Sequence, residues 1–411
     1  MIEKTIVLVG TFDTKGKESL YLKNLIEKNG YQVITIDMGT GAGGKLVFSP
    51  DYPREEVIKA AESNMEEILS LGERGEENRI MGIMANGATE ICQQLYQAGR
   101  LDGIISLGGT MGTNLGTKVM RTLPFGVPKV MLSTVASGDT SPFISTKDIV
   151  MVPSIADIAG LNRITQVTLT EAAGAVMGMV AVGRLKSREK RVIGITTLGG
   201  TTCTAVQVKN RLEERGYEVV IFHTSGGGGR AMENLIEQDL IQGVFDLSTN
   251  EVVDHIYGGW TDAGATRLEA AGKKGIPQLI APGNIDHIIY SSPDKIPKRF
   301  KHQRYHLHGP SIYVLRTKKN EIVEVAKVMA EKLNKARGPT AVILPLKGLS
   351  ISDKLVKEFY DPEANLTFFD ILSKNLKPEI ETKEVNAHIT DSLFAEEAAE
   401  MLYKLMKFQT A

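Results

Sequence analysis

The sequence predicts an α/β protein of two tandem domains with mainly parallel, doubly wound sheets, and three observations carry that expectation. A 39-residue segment occurs twice, short apolar runs alternate with amphipathic stretches, and glycine- and threonine-rich turns follow the apolar runs. Thr5 to Gly43 aligns without a gap with Arg191 to Gly229, shifted by 186 positions. Nine of the 39 positions are identical, where average residue usage gives roughly two or three by chance. Lys23-Asn24 matches Lys209-Asn210, and Gly30-Tyr31 matches Gly216-Tyr217. A repeat this long exceeds a solenoid unit, so the natural reading is duplication of an α/β domain, with a ligand cleft expected between the halves.

Each repeat reads as strand, turn, amphipathic helix, strand, turn. Ile6–Val9 is a short apolar run of the kind a buried parallel strand needs. Over Gly16–Asn29, Leu20, Leu22, Leu25 and Ile26 fall at near-helical spacing between Lys and Glu, and Gly30 is placed to end the helix. Val33–Ile36 is the second strand. The alternation then predicts a helix over Arg54–Leu71, a strand over Ile80–Ala85 and a helix over Ala88–Ala98. A strand over Gly103–Leu107, a helix over Thr113–Arg121 and a strand over Val127–Leu132 complete the first half. The second half predicts strands at Val192–Ile195, Glu218–Phe222, Gly243–Leu247, Pro277–Ala281 and Ala341–Pro345. A long apolar helix is expected over Leu161–Val182, followed by a charged stretch. This places the domains at 1–184 and 191–411, with a linker at 185–190.

The chain's 411 residues suit this division. With 48 basic and 49 acidic residues the net charge is -1, which gives no argument for a nucleic-acid partner. Two cysteines, Cys92 and Cys203, cannot form a disulfide scaffold. No leader pattern or apolar span opens the chain, so a cytoplasmic location without membrane attachment is expected. A homo-oligomer is left open.

A parallel sheet points the turns at its strand carboxyl ends, and the following helix amino termini, into one crevice. Four turns of the first half carry the residues such a crevice needs to hold phosphate. They are Gly10-Thr11 with Asp13, Thr14 and Lys15; Gly39 with Gly41; Asn86-Gly87; and Gly108-Gly109-Thr110 with Thr113. Glycine lets backbone N–H groups approach an anion, and threonine adds hydroxyl donors. Gly39 to Lys45 spans most of a Walker A pattern, but Leu46 stands where Ser or Thr is required, so a P-loop is rejected. Lys15 can neutralise phosphate, and Asp13 can hold Mg²⁺ or orient a ribose hydroxyl; the alternative is that Asp13 caps the helix expected at Gly16.

In the second half, Gly226 to Gly229 offers a phosphate nest or a mobile hinge, and Arg230 can clamp an oxyanion at the next helix start. Trp260 can stack on a base or cover the core, and core cover is expected. Arg267 is a surface ion-pair partner or a ligand contact. His306 and His308 would share one face of a strand, so zinc is conceivable there, yet the 298–308 segment carrying them is generally basic and is read mainly as a cationic loop, with metal as the lesser alternative and no metal site assigned.

The blocks VGTFDTKGKE, GTGAGG, ANGATE, SLGGTMGT and TDAGATRLEAAGKKGIPQLIAPGNIDHI together resemble the ATP-binding domain family named for the tomato mosaic virus resistance protein. The likeness runs from about Ile6 to Leu402 and rests on the ordered series of blocks. It implies two Rossmann-like subdomains, with ATP bound in the first. Gly309 departs from the family block, where Asn would be expected between His308 and Pro310. Two function classes follow. One is an ATP-binding protein, with Mg²⁺ as an option, that grips its ligand in the cleft and acts on a small anionic molecule. Its catalytic candidates are Asp13, Lys15, Arg230, Asp286 and His308. The other is a non-catalytic interaction protein whose domain angle is set by ATP. An NAD-dependent enzyme is disfavoured, because no GxGxxG opens a helix after either first strand.

Overall fold

The computed structural model describes residues 4–40, 44–183 and 190–408. The chain divides into two compact units, 1–187 and 188–411. The expected linker lies outside the described residues except for Lys190, and so does Gly41.

Unit 1 runs β1 (Thr5–Gly10), α1 (Phe12–Lys28), β2 (Gln32–Asp37), α2 (Arg54–Ala60), α3 (Met65–Glu73), α4 (Glu77–Gln97), β3 (Gly103–Gly108), α5 (Thr110–Thr122), β4 (Lys129–Ser133), α6 (Ser141–Ile144), β5 (Val150–Pro153) and α7 (Arg163–Val182). The five strands lie in the order β2-β1-β3-β4-β5, and every pairing is parallel. β1 and β3 are buried along their whole length, which is why their sequences are nearly continuous apolar runs, interrupted only by Thr5 and Ser106, rather than alternations. One face carries Ile80, Met84, Ala88, Ile91 and Leu95 of α4 with α2, α3 and α5. The other carries Phe12, Leu22 and Ile26 of α1 with Leu169, Ala172, Ala173, Val176 and Val180 of α7. By length and hydropathy α7 could cross a membrane, but these five side chains are buried against the sheet.

Three expectations need correction in unit 1. The strand at Ile80–Ala85 and the helix at Ala88–Ala98 are one helix, α4. Its apolar residues recur at helical spacing through Asn86-Gly87, which resembles a turn only when read locally. The helix over Arg54–Leu71 is split, because Glu62 turns the chain at φ 56° and Asn64 then caps α3 by accepting the Glu67 N–H. The edge strand β5 was not foreseen.

Unit 2 runs β6 (Val192–Thr197), α8 (Thr202–Glu213), β7 (Glu218–His223), α9 (Gly227–Glu237), β8 (Gly243–Ser248), α10 (Asn250–Tyr257), α11 (Ala270–Lys274), β9 (Gln278–Gly283), β10 (His287–Tyr290), β11 (Tyr305–His308), β12 (Ile312–Arg316), α12 (Lys319–Leu333), β13 (Thr340–Pro345), α13 (Pro362–Asn375), β14 (Glu381–Val385) and α14 (Ser392–Phe408). Its main sheet has the order β14-β13-β9-β8-β6-β7, again all parallel. β6 sits between β7 and β8 as β1 sits between β2 and β3, so the sequence repeat corresponds to a repeat of topology. Two large apolar clusters cover its faces. Between β9 and α12 the chain inserts a small antiparallel sheet, β10-β12-β11. The polar edge strand β14 and the inserted sheet lie beyond what the hydrophobic pattern predicted.

Candidate functional site

In unit 1 the strand order reverses direction at β1, so the connections leaving β1 and β3 pass to opposite faces and leave a crevice at the strand carboxyl ends. A cavity of about 690 Å³ opens among residues of these turns. Thr11, Asp13, Thr14 and Lys15 line it from the β1 turn, Thr40 from the β2 turn, and Gly108, Gly109 and Thr110 from the β3 turn. Gly72, Glu77, Ile80, Met111, Gly112 and Leu115 complete the wall. Seven expected site residues therefore meet in one cavity. Ile80 was missed because the start of α4 was read as a strand, and Gly72 and Glu77, at the end of α3 and the start of α4, fell between the expected elements.

The local sequence explains the geometry. Thr11 is the N-cap of α1 without a side-chain cap bond, and its hydroxyl lies 2.9 Å from that of Thr14. Lys15 departs from helical geometry at φ -121°, ψ 26°, which sets the first turn apart from the rest of α1. Its Nζ donates to the Ile158 carbonyl, and the Gly160 N–H donates to Glu18. The 158–160 segment is thereby held against the turn. Asp13 sits in the first turn of α1 and is not its N-cap. Asp37, buried at the end of β2, accepts the N–H groups of Phe12 (3.0 Å) and Gly39 (2.9 Å). Burial pushes the Asp37 pKa up, and the charge of Asp13 adds to this against the two N–H donors.

Gly10 and Gly39 are not among the residues that line the cavity. A Cβ on Gly39 would lie 2.8 Å from Asp13 Cγ, so the turn needs glycine for close approach. α5 begins directly after Gly109, again without a side-chain cap. The positive end of its dipole, with first-turn N–H groups, is therefore at the cavity. Thr113 is one turn further in and buried, where its hydroxyl lies 2.6 Å from Ser133 Oγ; it ties α5 to β4.

Asn86 and Gly87 are corrected outright, because both lie in the middle of α4 and no strand-end turn exists there. Asn86 is exposed. A Cβ on Gly87 would stand 1.8 Å from the Val57 carbonyl oxygen, so this glycine permits close packing of α2 on α4.

Unit 2 answers the other expectations differently. The N–H groups of Gly226 and Gly229 donate to Glu251 Oε1 at 2.9 and 3.1 Å, so the glycine nest is filled by the chain's own carboxylate. Glu251 Oε2 is 2.7 Å from Arg267 Nε, and Arg267 also pairs with Asp246 and Glu233. Arg267 is 1 % exposed and is the hub of a buried charge cluster, not a surface residue. Burial works to lower its pKa, but the surrounding carboxylates hold it well above the ordinary value.

Arg230 is exposed and donates to the Asp262 carbonyl. Asp286 is fully buried; its Oδ2 accepts the Ser350 hydroxyl at 2.6 Å and lies 3.3 Å from His287 Nε2. Burial works to raise its pKa, but His287, Arg316 and the Ser350 bond hold it below the ordinary carboxylate value. His308 is exposed on β11. Among the described residues no hydrogen bond or ion pair links Arg230, Asp286 and His308. Trp260 is 53 % exposed and does not cover the core as expected.

Two family models match the chain, the N-terminal domain of the Uncharacterised protein family (UPF0261) over residues 4–185 and its C-terminal domain over residues 190–406. A UPF0261 protein of Clostridium tetani is 40% identical over 409 residues, covering 99% of this chain and 100% of that protein. The ToMV resistance protein Tm-1(GCR237) of Solanum lycopersicum is 40% identical over 308 residues, covering 72% of this chain and 40% of the tomato protein. Among solved structures, a Streptomyces sp. SF2575 glycosyltransferase complexed with thymidine diphosphate aligns over 96% of this chain and 99% of its own, at 14% identity and a TM-score of 0.20. A score this low has no bearing on ligand or chemistry. The two domain models and the full-length bacterial relative show that the chain belongs to the uncharacterised family UPF0261.

Proposed function

We propose that unit 1 binds ATP, with its phosphates at the β1 and β3 turns. The observation that supports this most is the cavity at the β1/β3 crevice, of a size suited to a small-molecule ligand. Threonine hydroxyls, Lys15 and the uncapped amino terminus of α5 surround it. Thr11, Thr14, Lys15 and the Gly108-Gly109-Thr110 turn would hold phosphate oxygens, and Asp13 would offer oxygen ligands to an accompanying Mg²⁺. Asp37 is occupied by two backbone donors and is not assigned to the nucleotide. The family resemblance in the sequence points to the same ligand. A small anionic second ligand is part of the reading. It goes no further toward catalysis, because the acid, base and cation candidates of unit 2 are not joined in one cluster.

The test is thermal unfolding of the full chain with ATP and Mg²⁺ against NAD⁺. A ligand at a hundred times its Kd stabilises the folded state by about 2.7 kcal/mol. ATP is expected to raise Tm more than NAD⁺ does; equal or greater stabilisation by NAD⁺ overturns the proposal.

A further inference from the structure

Unit 2 contains a cavity of about 300 Å³ lined by His302, Gln303, Arg304, Arg316, Thr317, Lys318, Lys319 and Asp361. Four of these residues carry a permanent positive charge and one a negative charge, in a chain whose net charge is only -1. The imbalance is already present in the sequence, since Lys298, Arg299, Lys301 and Arg304 fall in a short stretch without an acid.

Arg316, at the end of β12, is 2 % exposed. Its guanidinium donates to the Phe359 and Thr317 carbonyls, the Thr317 hydroxyl and Asn365 Oδ1, all neutral acceptors. Asp286 and Asp353 are affected by its charge without a hydrogen bond to it. Arg304 reaches Asp361 only at 3.7 Å, and Lys319 pairs with Glu363. Lys318 Nζ has no hydrogen-bond or ion-pair partner among the described residues. Four of the five Arg316 N–H groups are thus taken, so toward the cavity Arg316 supplies its charge and at most one N–H, while Arg304, Lys318 and Lys319 rim the opening with further positive charge suited to a dianion.

We propose that this cavity is a second anion site, which takes the phosphate group of a small phosphorylated molecule. Its place is set by the end of β12 and the start of α12, within unit 2. Four lining cations face one lining carboxylate, with Glu321 behind Gln303 and Glu363 on Lys319. This favours a phosphate dianion over a monocarboxylate, and the volume suits a compact phosphate ester rather than a nucleotide.

The test is calorimetric titration of the full chain with inorganic phosphate, and then of Lys318→Glu and the double variant Lys318→Glu/Arg304→Glu. Both side chains are exposed, and a Glu at the α12 N-cap complements the helix dipole, so these variants keep the fold. Circular dichroism checks this. Lys318→Glu is expected to weaken one phosphate site by at least about tenfold, Lys318→Arg to preserve it, and both to leave ATP affinity unchanged. Acetate at matched concentration is expected not to compete. Equal phosphate affinity in the double variant, loss of this phosphate site on Thr110→Glu instead, or competition by acetate as strong as by phosphate would each overturn the assignment.

Discussion

Gly229→Ala separates the two readings of the Gly226–Gly229 turn. A Cβ at position 229 would stand 1.7 Å from Glu251 Oε2 and 2.4 Å from Arg267 Nε. Neither neighbour can retreat, since Glu251 is fully buried and Arg267 is 1 % exposed. Glu251 is displaced, its two backbone donors lose their acceptor, and Arg267 loses one of three carboxylates. Breaking a buried pair costs roughly 3–5 kcal/mol, which lowers Tm by roughly 6–20 °C for a unit of this size. Gly227 begins the same helix with open space around a Cβ, so Gly227→Ala is the matched control. It is expected to be neutral or to stabilise by up to about 1 kcal/mol. Scanning calorimetry of the two variants measures the difference. Equal transition temperatures, with Gly229→Ala affecting only the binding of an anion, would refute the assignment of the nest to Glu251.

Gly87→Ala is expected to destabilise unit 1 by about 1–3 kcal/mol without changing ATP affinity relative to its own folded fraction, because the new methyl meets the Val57 carbonyl; denaturant titration beside ATP titration measures both. Asp13→Ala is expected to weaken ATP binding in the presence of Mg²⁺ while Tm is unchanged, since Thr11 is the N-cap of α1; a lowered Tm with full affinity would identify a structural role. Burial pushes Asp254 up to about 7, against donors from Thr261 and Ile289, and burial likewise raises Asp353. A carboxyl raised on folding holds a proton that the unfolded chain has released. Its stabilisation is therefore fully present below about pH 4 and is lost as pH rises to about 7. Unfolding free energies across that window, with the infrared band of a protonated carboxyl followed alongside, check the sign; a band already absent at the acid end would contradict it.

What the sequence revealed was mostly local or periodic. β1, β2, β3 and their counterparts in unit 2 are apolar runs bounded by turns, and the ungapped repeat pointed to the shared order around β1 and β6. That the β1 and β3 turns line one cavity was legible because glycine and threonine cluster directly after both strands of a parallel sheet. α4 was not, since Ile80–Ala85 read as a strand and Asn86-Gly87 as the turn after it, while Ile80, Met84, Ala88, Ile91 and Leu95 carried the helical period. The nest at Gly226–Gly229 looked open because its occupant, Glu251, lies 22 residues from Gly229. Arg267 looked like a surface residue because its carboxylates come from α9, β8 and α10, which only the folded chain brings together.

The most direct test of nucleotide binding in unit 1 is the equilibrium affinity of Thr110→Glu for ATP with Mg²⁺. Thr110 is exposed, lines the cavity and is the first residue of α5. A carboxylate there suits the helix dipole by about 0.3–1 kcal/mol, so Tm without ligand should hold or rise. The same charge would oppose a phosphate at the amino terminus of α5. The affinity is therefore expected to fall by at least about tenfold in a protein no less stable than wild type. Wild-type affinity in Thr110→Glu would contradict the placement of ATP in this cavity.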